Sequence, residues 1–373
     1  MEKTQIGNLQ FIVIACLFTI GDSILFIPSL VATAAGKDAW LAGLFALISG
    51  MGLLLFYTVL QRRYPRQTIL ALCDQLLGRY VGRAVSAAFV FVFLLLVAST
   101  LLREVGDFMA TQILPNTPVQ FIEMLFMLIV VRAVRGGAET IGRTAQIVAP
   151  WVLLLLVLLV LFVIPGSRIS MIEPVLYNGV KPVISGGLQM IAVPYMEIAS
   201  MMILFPLVRN DRRVRLNFVI GGALGGVILA LVIFFCLANF GALIIRDSVY
   251  PTYLLAKKIE LGEFLQRIEA IMAIAWMFSL FVKMAVCFYG TCVGAAHVLG
   301  LRDYRLFTFP LALLLLPLAD MLAPNIIAYF RIAEYYPFFA GTFAVALPLA
   351  LLAAGKVRGG RGRRREARVA KQK

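Results

Sequence analysis

Apolar runs separated by short polar connections dominate the chain. They fall at residues 8–33, 39–60, 82–110, 119–132, 144–164, 182–207, 216–244, 267–296, 306–321 and 335–355. Most reach the roughly 20 residues a helix needs to cross a bilayer, although 119–132 and 306–321 are short. The first run, NLQFIVIACLFTIGDSILFIPSLVAT, carries Gly21, Asp22 and Ser23 at its middle and Pro28 after them. Gly is a poor helix former, and Pro28 cannot donate to the carbonyl of Ile24. In hydrocarbon a freed backbone group costs several kcal/mol unless protein or water satisfies it. The pattern predicts a discontinuous helix whose break faces a polar cavity. A continuous helix kinked at Pro28 is the rival reading.

The sixth run, KPVISGGLQMIAVPYMEIASMMILFP, is interrupted by Pro194 and Glu197. Counted from the start of each run, Gly21 and Tyr195 occupy the same place. Interrupted segments at matching places in two five-span halves point to an inverted-repeat transporter fold with a midplane pocket. The alternative is two unrelated kinks. The fold class expected is therefore an all-α integral membrane protein of about ten transmembrane helices, in a 5+5 arrangement with helices one and six broken.

Composition agrees: 62% of residues are hydrophobic, 14% are charged, and mean hydropathy is +0.95. Basic residues set the topology. Twenty-four Lys and Arg fall on the side that holds both termini of a ten-span chain, and eight fall on the other. The positive-inside rule then makes both termini cytoplasmic. The net charge of +15 is mostly topology and attraction to anionic membrane lipids, with no nucleic-acid partner implied. Residues 1–355 form one membrane domain. Residues 356–373 form a basic tail whose composition predicts disorder. No cleavable leader is expected, because the first run is too long for one.

The five cysteines show no metal or redox spacing and read as packing residues. His297 stands alone, so no metal site is expected. Neither a phosphate-binding loop nor a catalytic motif appears, so no enzyme activity and no cofactor are expected. Gly221, Gly222, Gly225 and Gly226 suggest close packing of the seventh span. Between spans seven and eight, Leu254, Leu255, Ile259 and Phe264 suggest a surface helix on the outer side, lying at the interface or over the pocket mouth.

Ionisable residues inside spans are functional hypotheses by default. Asp22 reads either as such a group or as an N-cap of the second half-helix, and the two roles are compatible. Arg103 and Asp107, spaced i, i+4, suggest an ion pair. Lys283 lies too deep to snorkel and needs a partner. Asp320 and Glu334 lie near span ends and are expected to be solvated.

Several stretches together resemble the B subunit of spore germinant receptors. They are GDSILFIPS, QRRYP, LLREVGDF followed by NTPVQF, RAVRGGAETIGRTAQIVAPW, IEPVLYNGVKPVISGG, and RIEAIMAIAWMF with Lys283 downstream. The likeness spans about residues 5–355. It implies a LeuT-like relative of amino acid–polyamine–organocation transporters in the inner membrane of a dormant spore. There it would sense a small germinant, often an amino acid, beside A and C subunits. The family often has a glutamate about where Ser200 stands, whereas here the acid is Glu197. A proton- or ion-coupled amino-acid transporter is the alternative function. Candidate pocket residues are Ile20, Gly21, Asp22, Ser23, Val97, Ser99, Pro194, Tyr195, Glu197 and Phe288. In that architecture the first break faces span eight, so Asp22 and Lys283 are expected to pair and latch the two spans.

Overall fold

The computed structural model describes residues 5–209, 211–259 and 268–357. The helices are α1 (Asn8–Ile20), α2 (Ser23–Ala35), α3 (Ala39–Arg63), α4 (Ile69–Leu77), α5 (Arg79–Ala87), α6 (Leu95–Gln112) and α7 (Val119–Arg135). Then come α8 (Ala138–Val163), α9 (Val180–Ile191), α10 (Asp211–Asp247), α11 (Pro251–Lys257), α12 (Ile268–Leu299), α13 (Thr308–Leu322) and α14 (Ile326–Gly341). A π-type stretch, Ala88–Leu94, joins α5 to α6 in one segment. By length and composition, seven helical stretches among the described residues can cross a membrane; one of them runs through α2 and α3 together. The chain is an integral membrane protein.

Helical segments occupy all ten expected places, with shifted boundaries. The third begins at Arg79 and the tenth at Ile326, nine residues earlier than hydropathy suggests. Glu334 and Arg331 therefore belong to α14. One helix went unread: α4, ILALCDQLL, buries Ile69, Leu72, Cys73 and Leu76. It is too short to span, and Thr68 caps it by accepting from the Ala71 N–H. The basic tail lies outside the described residues, except for its first two, Lys356 and Val357.

The broken first segment forms the axis. α1 packs along α10, α8 and α12, while α2 packs against α9, α10 and α11. The glycines of α10 permit the first of these approaches. A Cβ at Gly225 would lie within 3 Å of Thr19 Cβ and the Cys16 carbonyl, and Gly221 faces Ile12 and Ala15. Gly222 and Gly226 face the other way, toward Leu54 and Tyr195. The four glycines thus let α10 sit between α1 and α3.

The two broken segments are also tied at one end. Ile6 donates to the Leu207 carbonyl at 2.8 Å, and Arg209 donates back to the Ile6 carbonyl at 3.0 Å. At the other end, Asp38 accepts from the Leu176 N–H at 2.7 Å, anchoring the connection between α8 and α9.

Candidate functional site

The break comes between Ile20 and Ser23. Gly21 has φ +23°, a conformation that favours glycine. Its N–H still closes α1 on the Leu17 carbonyl at 2.8 Å, and its carbonyl accepts from the Ser279 hydroxyl at 3.2 Å. The Ile24 carbonyl, which Pro28 cannot satisfy, accepts from the Thr252 hydroxyl of α11 at 2.5 Å. The backbone groups freed by the break are therefore met by two side chains, from α12 and α11. This corrects the surface reading of the 251–259 stretch. Pro251, Thr252, Tyr253, Leu255 and Ala256 are buried, so α11 packs into the bundle, and Phe264 lies outside the described residues.

The sixth segment breaks differently. α9 passes into a π-type stretch, Ala192–Met196, and then into a tighter 3-10 stretch, Glu197–Ile203. Pro194 lies inside the wide part, where a backbone donor is lost anyway. The Tyr195 carbonyl accepts from the Tyr57 hydroxyl at 3.4 Å.

Lys283 joins both breaks. Its Nζ lies 2.5 Å from Asp22 Oδ1 and 2.5 Å from Glu197 Oε2, and the lysine is wholly buried. The Phe18 ring stands 5.3 Å from the same nitrogen. Asp22 makes no cap bond to α2, so its carboxylate serves the lysine and not the helix end. Ser23 adds a donor to Asp22 Oδ1 at 3.3 Å. The sequence reading missed Glu197 as a second partner of Lys283. One ammonium thus ties together segments one, six and eight.

Beside this triad lies a cavity of about 30 Å³, the space of about one water molecule. Asp22, Glu104 and Glu197 line it with Thr100, Leu30, Val193 and the α14 residues Tyr329, Ile332, Ala333 and Tyr336. Tyr329 donates to Glu104 Oε1 at 2.7 Å, and Tyr336 donates to Glu197 Oε1. Leu30 also borders a larger vestibule of about 310 Å³ with Ser29, Gln189, Arg246 and Phe330. Leu30 is thus common to the walls of the two spaces.

Of the ten candidate pocket residues, Asp22 and Glu197 line the cavity and the other eight do not. Ile20, Gly21 and Ser23 are buried in the break, their surroundings already packed. The remaining errors are mostly of rotation, since successive residues of a helix point about 100° apart. On α6 the cavity face carries Thr100 and Glu104, whereas Ser99 is turned away and donates to the Leu95 carbonyl at 2.8 Å. Val97 shares that face one turn earlier and is buried outside the lining. In segment six the lining positions are Val193 and Glu197, four apart, so Pro194 and Tyr195 point elsewhere. The Tyr195 ring wedges between Gly50 of α3 and Gly226 of α10. On α12, Ser279, Lys283 and Cys287 form the stripe toward the breaks, which turns Phe288 off it. The α14 tyrosines were missed altogether. Their spacing of seven, with Ile332 and Ala333 between, is the signal of one helix face carrying polar tips in an apolar run.

A second charge cluster lies next to the cavity. Arg103 pairs with Asp107 at 2.9 Å, as its spacing suggests. It also pairs with Asp320 of α13 and donates to the Pro324 carbonyl at 3.3 Å. Asp320 is therefore engaged, not simply solvated, because α13 brings it onto the guanidinium fork. Glu123 of α7 stands 3.9 Å from the same group. No cluster of His, Cys, Asp or Glu suited to a metal ion occurs among the described residues.

The family model described as "Spore germination protein" matches residues 5–324. The chain belongs to this spore germination protein family. It is 28% identical over 328 residues to spore germination protein KB of Bacillus subtilis (strain 168), which covers 87% of each chain. It is 24% identical to spore germination protein YndE of the same organism, over 79% of this chain and 81% of that one. Among solved structures it is similar to MhsT in complex with L-phenylalanine, with a TM-score of 0.72 and 14% identity. That match covers 94% of this chain and 89% of MhsT. It is also similar to Mhp1, a nucleobase-cation-symport-1 family transporter with bromovinylhydantoin bound. There the TM-score is 0.65 and the identity 12%, over 92% and 78% of the two chains. The architecture is thus the transporter-like fold with broken helices one and six that the sequence pattern implies.

Proposed function

We propose that this chain is the B-type subunit of a germinant receptor, sensing a small germinant such as an amino acid in the cavity beside Lys283. One observation carries the reading. A charged, ion-paired junction at the breaks of segments one and six faces a small cavity walled on one side by α14. A ligand that binds one arrangement of these segments more tightly shifts the equilibrium between arrangements. Partner subunits of A and C type would read that shift. With about 30 Å³ of room, the cavity must widen to admit an amino acid, and the Tyr329 and Tyr336 bonds are the contacts that widening breaks. We place the protein in the spore inner membrane, in keeping with its membership of the spore germination family, and both termini on the cytoplasmic side, on the distribution of its basic residues. The role is binding and signalling, with no enzyme activity.

A second reading, ion-coupled amino-acid transport, is favoured by the likeness to transporters of this fold. The two are separated by removing the gene and testing spores against single amino acids, and by assaying uptake in proteoliposomes. Loss of one germinant response, restored by the intact gene, supports the receptor. Saturable, gradient-driven accumulation by the isolated chain supports the transporter.

A further inference from the structure

Charge bookkeeping in the cavity does not balance. Three carboxylates line it, Asp22, Glu104 and Glu197. Lys283 stands between the first and the last, which leaves Glu104 without a cation. Arg103 precedes Glu104 in the chain, but it is turned around α6 toward Asp107, Asp320 and the Pro324 carbonyl. Glu104 is 7% exposed. Its Oε1 accepts from the neutral Tyr329 phenol, and its Oε2 has no hydrogen-bond partner among the described residues. Apart from Asp22 and Glu197, which Lys283 serves, the rest of the cavity lining is apolar or hydroxylic: Leu30, Val193, Ile332, Ala333, Thr100, Tyr329 and Tyr336. A buried carboxylate oxygen facing such a wall demands a donor.

We infer that Glu104 is the docking group for the ammonium of a small amine-bearing ligand, with its unpartnered Oε2 as the acceptor. This rests on the reading of the cavity as the ligand site and names the chemistry that the site selects. An ammonium supplies both the counter-charge and a charge-assisted hydrogen bond. A ligand with a carboxylate and no amine would place a further anion among three carboxylates and one lysine. The Tyr329 phenol, bonded to the other oxygen, holds the carboxylate in place from α14. Arrival of a cation at Oε2 is thereby coupled to the segment that closes the cavity.

The test uses the purified full-length chain in lipid nanodiscs. Its thermal midpoint is measured with ethylammonium chloride, sodium propionate or sodium chloride at equal concentration. Ethylammonium and propionate are alanine without its carboxylate and without its amine. At several times its Kd, ethylammonium is expected to raise the midpoint by about 1–2 °C over sodium chloride, and propionate is not. Glu104→Gln is expected to lose the shift, and Tyr329→Phe to keep it because the carboxylate remains. An unshifted native chain, or an equal shift with propionate, overturns the assignment even if Glu104→Gln fails to fold. An undiminished shift in Glu104→Gln does the same. A chain that supports germination but shows no ethylammonium shift defeats this subsite alone. One that shifts through Glu104 but plays no part in germination upholds the subsite and defeats the receptor reading.

Discussion

Replacing Lys283 with methionine should be the most damaging single change at the junction. Its ammonium is wholly buried and 2.5 Å from each of two carboxylates, so its loss leaves Asp22 and Glu197 facing each other without a cation. Breaking a buried ion pair from one side costs about 3–5 kcal/mol, and here two partners are stranded at once, so the upper end applies. Against a total stability of about 5–15 kcal/mol, that removes a third or more. Asp22→Asn is milder. Lys283 keeps Glu197, and the loss is that of one charged hydrogen bond, about 1.5–3 kcal/mol. The assay is thermal or denaturant unfolding of the purified full-length chain in detergent micelles, with Asp22→Asn, Glu197→Gln, Lys283→Met and their combinations.

The combinations carry the sharper test. Were Asp22 and Lys283 a simple pair, the double variant would recover most of the loss. Because Glu197 shares the lysine, Asp22→Asn with Lys283→Met still strands one carboxylate, to which Tyr336 donates. Recovery should therefore be partial in the double variant. It should approach completion only when Glu197→Gln is added. Strict additivity of the three changes, or a Lys283→Met variant no less stable than Asp22→Asn, would refute the shared-cation argument.

Three further outcomes follow from the geometry. Gly21→Ala should destabilise by about 1–3 kcal/mol, since φ is +23° and the new Cβ would lie 2.7 Å from Lys283 Cδ; a larger side chain strains the break and does not simply fill the cavity. Unchanged unfolding of Gly21→Ala would count against the break geometry. Thr252→Val should cost about 1–3 kcal/mol by stranding the Ile24 carbonyl, whereas Thr252→Ser, which keeps the hydroxyl, should retain most of the stability in the same assay. Burial pushes the Cys73 thiol of α4 up to about 11, so at pH 8 only about one molecule in a thousand carries the thiolate. Alkylation of Cys73 by iodoacetamide, followed by mass spectrometry, should therefore be slow in the folded chain and speed up as pH approaches 11; rapid labelling at pH 8 would contradict the burial of α4.

What the sequence displays and what it hides divide along a physical line. Membrane spans are legible because hydrocarbon allows only backbone that bonds to itself, which forces long apolar runs. The breaks are legible for the same reason: GDS with Pro28, and Pro194 with Glu197, mark places where self-bonding fails. Lys283 is legible as a buried cation in need of an anion. α4 is not, because nine amphipathic residues in a polar connection resemble a loop until Ile69, Leu72, Cys73 and Leu76 find a surface to cover.

Rotation about each helix axis is where the reading slips. Pattern fixes the depth of Tyr195, Ser99 and Phe288, but the cavity takes Val193, Thr100 and the Lys283 stripe, a residue or more away. In a soluble helix the polar face would set the rotation, whereas in an apolar run both lipid and protein accept the same side chains. The rotation of α14 is settled only by partners far away in sequence. Tyr329 reaches Glu104 and Tyr336 reaches Glu197, two turns apart on one face and bonded to carboxylates on two other segments. With Tyr329 and Tyr336 so placed, α14 cannot retreat from the cavity without uncovering both carboxylates. Whatever enters to meet them must therefore displace this helix or replace its hydrogen bonds. With the cavity proposed as the ligand site, that would make this span, whose first residues hydropathy left outside the membrane, the element through which occupancy reaches the rest of the molecule.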